Sequence, residues 1–159
     1  MTKRGRKPMD TQKQKEQSPF RTAEGCLYGY QENLARLESL RADLDKLSSL
    51  TIQSYKSDLR SDGGHSDPVW GYIQRGEDIR EQIAALERRT EPITRLLEDL
   101  ESPDVWDGSP KAAMAKILRL CYFARNSKEQ VASELHMDRR RVYERRDDLV
   151  KLTIRYLGW

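Results

Sequence analysis

The chain is short of the residues that build cross-links, metal sites and large cores. It has two cysteines, two histidines and two phenylalanines in 159 residues. Cys26 and Cys121 lie far apart and form no ligand motif, which excludes a disulfide framework and leaves two reduced thiols of a cytosolic protein as the reading. His65 has no second His, Cys or carboxylate at ligand spacing, so it reads as a solvated loop residue, and neither a metal nor a cofactor is expected. No apolar run approaches the roughly 20 residues of a membrane span, and no signal-peptide pattern opens the chain, so a cytoplasmic protein without membrane contact is expected. Catalytic paired carboxylates, a Ser/His/Asp set and a Gly-rich phosphate loop are missing too, so the chain does not read as an enzyme. Hydrophobic residues make up 36% and charged residues 35%. Such a balance cannot fill a large core, and the apolar residues must be spent in stripes, as in helical hairpins and coiled coils.

The charge that is present is segregated. Residues 1–20 carry six Lys/Arg against two acids, residues 21–108 eleven against eighteen, and residues 109–159 twelve against six. Basic ends around an acidic middle suggest that the ends meet a polyanion and the middle does not.

Residues 1–19 are polar and aperiodic and read as a disordered basic tail. Its Lys3-Arg4-Gly5-Arg6-Lys7-Pro8 segment resembles an AT-hook, in which two arginines enter a narrow minor groove, but Lys7 stands where that pattern has Pro. An AT-hook-like arm and a generic basic arm, with Arg4 and Arg6 on phosphates, both remain open.

Residues 20–53 show the three- and four-residue steps of an amphipathic helix, through Leu27, Tyr30, Leu34, Leu37, Leu40, Leu44 and Leu47. Residues 54–66 break the pattern, and Ser61-Asp62-Gly63-Gly64-His65-Ser66 is a loop by composition. A second helix opens at Pro68, capped by Ser66 or Asp67, and runs to about residue 101 with Val69, Ile73, Ile79, Ile83, Leu86, Ile93, Leu97 and Leu100 as its stripe. Pro92 should kink or divide it, with Thr90 as a new cap. Two long helices and a short loop predict an antiparallel, coiled-coil-like hairpin over 20–101, suited to oligomerisation. Residues 102–108 form a connector whose Val105-Trp106 pair either docks on the neighbouring helices or meets a partner.

The C-terminal unit, 109–159, predicts three helices. Ser109-Pro110 opens the first, with Met114, Ile117, Leu118, Cys121 and Tyr122 as its apolar face. Ser127 and Gln130 make a capping-box pattern for the second, whose inner face is Val131, Ala132 and Leu135. His136-Met137 forms the turn, and Asp138 caps a long third helix in which Val142 points back at Ala132 and Leu135. Arg139, Arg140, Arg141, Tyr143, Arg145 and Arg146 are left on the outside. A charge run is ordinarily a solvated face. Here the run is arginine, whose planar fork suits guanine and phosphate, and it sits at the start of the helix, where recognition helices touch bases. Ser127 and Lys128, at the preceding helix end, are placed for a phosphate.

The run Ser127-Lys-Glu-Gln-Val-Ala-Ser-Glu-Leu-His-Met-Asp-Arg-Arg-Arg-Val-Tyr143 resembles the RinA/ArpU-like phage transcriptional regulators, whose C-terminal domain is similar to region 4 of sigma factors. Two positions depart from that pattern: His136 stands where the turn usually has Gly, and Arg145 where many such motifs have a third apolar residue. The resemblance implies an all-α protein in a bacterial host, a helical hairpin followed by a helix-turn-helix, that binds double-stranded DNA as a homodimer and regulates phage late genes. Direct contact with RNA polymerase is left open. Two other readings stand beside it, a phage small terminase subunit and a helical interaction module that binds no DNA.

Overall fold

The computed structural model describes residues 18–58 and 68–159. The arm with Arg4 and Arg6, the loop with His65 and the expected cap at Ser66 or Asp67 lie outside the described residues. Among the described residues every regular element is helical.

Helix α1 spans Pro19–Asp58 and α2 spans Pro68–Leu100. At ~1.5 Å per residue they are rods of about 60 and 50 Å. α1 starts at the border of the expected tail and runs five residues past the expected end. Its start uses a Ser-Pro device: the Ser18 hydroxyl accepts from the Arg21 amide at 3.4 Å, and Pro19 takes the first helical position. Its far end continues because no glycine or proline interrupts residues 54–58. α2 is not divided at Pro92. Thr90 caps nothing there; it is a buried mid-helix residue whose hydroxyl donates to the Leu86 carbonyl at 3.0 Å.

The two rods run antiparallel. Tyr30 Oη lies 2.9 Å from Thr94 Oγ1, Arg41 pairs with Glu87 at 2.7 Å, and Leu44 and Leu47 lie over Gly76. Burial is uneven along them. Leu27, Tyr30, Ile93, Leu96 and Leu100, at the end near the C-terminal helices, are buried. At the far end Ile52, Tyr55, Trp70 and Ile73 are exposed, the first three by about three-fifths.

Helix α3 spans Pro110–Ile117, its first turn closed by the Ser109 hydroxyl accepting from the Ala112 amide. The chain then widens into a π-helical turn over Leu118–Phe123 rather than continuing as the expected α-helix to Tyr122. Helices α4 (Lys128–Glu134) and α5 (Arg139–Tyr156) follow. One continuous core joins the near ends of α1 and α2 to Ile117, Leu118, Tyr122, Val131, Val142 and Leu149. Cys121 is buried in it as expected. Trp106 does not dock on this core: it is 69% exposed, its ring folded over Gly108.

Candidate nucleic-acid interface

The α4–α5 pair is built by local rules. The Ser127 hydroxyl accepts from the Gln130 amide at 3.3 Å, and the Gln130 side chain accepts from the Ser127 amide at 2.9 Å, a complete capping box. Those two amides are therefore already satisfied, and fewer donors remain for a phosphate than the sequence offers. α4 closes with the His136 amide on the Ser133 carbonyl and the Met137 amide on the Ala132 carbonyl, the paired bonds of a Schellman stop. That stop needs a left-handed residue at position 136, and His136 takes φ 51. Arg125, at φ 56, makes the equivalent reversal ahead of Ser127. Asp138 holds the extended cap conformation for α5, but its side chain makes no capping bond.

Val131 from α4 and Val142 and Leu149 from α5 are fully buried, so the two short helices meet through their apolar faces. Leu149 fills the inward position that Arg145 does not. Successive α5 residues are rotated by ~100°, which sends Arg140 and Arg141 away from the core and Arg139 and Tyr143 towards the α4 side. Arg140 is 90% exposed and pairs with Glu144 at 3.1 Å. Arg141 is exposed and makes no hydrogen bond or ion pair among the described residues. Arg139 pairs with Glu129 at 3.1 Å, and its guanidinium and the Lys128 ammonium both lie over the Tyr143 ring, the ammonium at 4.1 Å. Hydrogen bonding from Arg139, then from Lys128, holds the Tyr143 phenol below its usual range. Arg145 lies on the opposite flank, 3.5 Å from Asp148. Exposed pairs of this kind are screened by water and contribute little, so a phosphate or base edge can replace the carboxylate at little cost.

Arg146 departs from the expectation. Its guanidinium points inward, bonded to Glu24 of α1 and to Tyr122 Oη at 3.1 Å, with only 16% of the side chain exposed. Tyr122 also donates to Glu24 at 3.2 Å, and burial pushes its phenol well above the usual range. The structure thus brings Lys128, Arg139, Arg140, Arg141 and Tyr143 onto one outer surface beside Ser127, leaves Arg145 at its edge, and withdraws Arg146. The signal for that withdrawal is in the chain: Val142, Arg146, Leu149 and Thr153 recur at steps of four, three and four, so Arg146 belongs to the inner stripe. Glu24 and Tyr122 carried no such signal, because their meeting depends on how α1 crosses α5. Among the described residues no group of His, Cys, Asp and Glu is arranged to hold a metal ion, and no helix is long and apolar enough to cross a membrane. No protein-family model, curated protein sequence or solved structure matches the chain.

Proposed function

We propose that the chain is a sequence-specific DNA-binding protein in which α4 and α5 act as a helix-turn-helix and α5 is the recognition helix. The observation that carries this reading is the outer surface of α5: Arg139, Arg140 and Arg141 stand together at its start, on a helix whose other side is locked to a capped α4. Arg140 and Arg141 project furthest and are the base-reading candidates. Lys128, Arg139, Tyr143 and the Ser127 hydroxyl flank them and suit phosphates, since residues on successive positions cannot all face the bases. The neighbouring carboxylates Glu129 and Glu144 hold the guanidinium groups in place until DNA displaces them.

The reading extends to a dimer. Ile52 and Ile73 share a groove at the far end of the α1–α2 pair, and Tyr55 and Trp70 lie one helical turn along from them. Four large apolar side chains exposed together mark an interaction surface. A second copy docked there would carry two recognition helices to two half-sites. Together with the resemblance of residues 127–143 to the RinA/ArpU-like regulators, this makes a transcriptional regulator of phage late genes the function that fits best.

The test is fluorescence anisotropy on genomic fragments selected with the purified protein. Arg140→Ala is expected to weaken the selected site by about 1–3 kcal/mol and to relax its sequence preference. Unchanged affinity in both Arg140→Ala and Arg141→Ala would remove α5 from the groove.

A further inference from the structure

Three arginines converge far from the α5 outer surface. Arg21 from the start of α1, Arg88 and Arg89 from the middle of α2, and Trp159 beyond the end of α5 line a hollow of about 500 Å3, with Cys26 and Asn33 in its wall. No aspartate or glutamate side chain lines it. The setting makes this unusual, because residues 21–108 hold eighteen acids against eleven bases. On the same two helices Arg41 and Arg95 each take a carboxylate partner. Arg21, Arg88 and Arg89 form no ion pair among the described residues, and Arg88 uses only its Nε, on the Ala84 carbonyl at 3.3 Å. The charge of Arg89 reaches into the wall, where it opposes the rise that burial imposes on the Cys26 thiol. Trp159 is 57% exposed.

We propose that this hollow binds a small phosphorylated ligand that carries a planar ring, of nucleoside-monophosphate size. Guanidinium forks grip phosphate oxygens in pairs, and arginine is the side chain best shaped for it. The open indole face offers a stacking surface for the ring. The Asn33 amide supplies both a donor and an acceptor for the ring edge or a sugar hydroxyl. The volume lies within the ~300–1,000 Å3 of small-molecule sites, and its position between the α1–α2 pair and the end of α5 is a usual one for them. Arg139 and Tyr156, at the two ends of α5, are separated by about 25 Å of helix, so the site is distinct from the DNA surface and does not depend on that reading.

The test uses the full chain with Trp70→Phe and Trp106→Phe, which leaves Trp159 as the sole tryptophan reporter. Adenosine monophosphate should quench its emission saturably, and adenosine should bind at least ~10-fold more weakly for lack of the phosphate. Arg88→Gln with Arg89→Gln, and separately Arg21→Gln, should each weaken the monophosphate ~10-fold or more, while the distant Arg141→Gln leaves it unchanged. These arginines are exposed, and thermal melts matching the parent would show that the variants fold. Saturable, phosphate-dependent quenching lost in the arginine variants establishes the site. No saturation by the monophosphate up to ~10 mM, equal binding of adenosine, or quenching by duplex DNA but not by the monophosphate would each overturn it.

Discussion

Replacing Arg146 by Met separates an inward arginine from an outward one. The side chain is 16% exposed and its partner Glu24 19%. Removing one member of a buried pair costs about 3–5 kcal/mol, because the other charge is left without compensation. Residual water at Glu24 lowers this to about 2–4 kcal/mol. For a chain of this size each kcal/mol shifts Tm by ~3 °C, so Arg146→Met should melt about 6–12 °C below wild type. Glu24→Gln should cost a comparable amount. The double variant strands no charge, and its loss should fall short of the sum of the two by about 1–3 kcal/mol. Calorimetry or circular dichroism melts of the four proteins measure this cycle. Well below both melting temperatures, DNA affinity of Arg146→Met should stay within ~2-fold of wild type, unlike Arg140→Ala. If Arg146→Met instead melts with wild type and loses DNA affinity ~10-fold, the guanidinium sits in the groove and the inward assignment is wrong.

Burial raises the Tyr122 phenol above its ordinary value near 10. A group whose folded pKa is raised contributes stability that is complete below the unfolded value and is lost as pH rises beyond it, so wild type should lose stability above about pH 10 more steeply than Tyr122→Phe in alkaline melts. A pH slope equal in the two proteins would count against burial of that hydroxyl. Ser127→Ala removes the hydroxyl that accepts from the Gln130 amide, leaving the Ser127 amide on the Gln130 side chain, and should lower stability by ~1 kcal/mol in urea unfolding, with the m-value unchanged. A shift under ~0.3 kcal/mol would mean that the box contributes nothing to the fold. Light scattering should give a dimer for wild type and a monomer for Trp70→Ser with Ile73→Ser; a dimer in both would move the interface elsewhere, and a ring of many subunits would favour the small-terminase reading.

The helical class, the two long rods and the α4 cap were legible along the chain because each depends on residues within a turn or two of one another. Seven-residue leucine spacing, Ser-Pro starts and the Ser127–Gln130 box are local signals. Even where the reading stopped short, a local signal was present: Ser18-Pro19 opens α1 by the same device as Ser109-Pro110. Pro92 does not divide α2: a proline weighs against a helix locally, while packing of Ile93, Leu96 and Leu100 on the core outweighs that cost.

The surface of α5 was half legible. Composition marks the arginines, and the helical period alone sorts Arg140 and Arg141 from Arg146. What no spacing contains is the company each keeps: Glu24 lies 122 positions from Arg146 and 98 from Tyr122, yet all three share one hydrogen-bonded cluster. The same holds for Arg21, Arg88, Arg89 and Trp159, which converge only because α1 and α2 run antiparallel and α5 ends against them. Helix formation is a matter of neighbours three and four residues away, whereas a buried charge or a shared hollow is set by the crossing of whole helices.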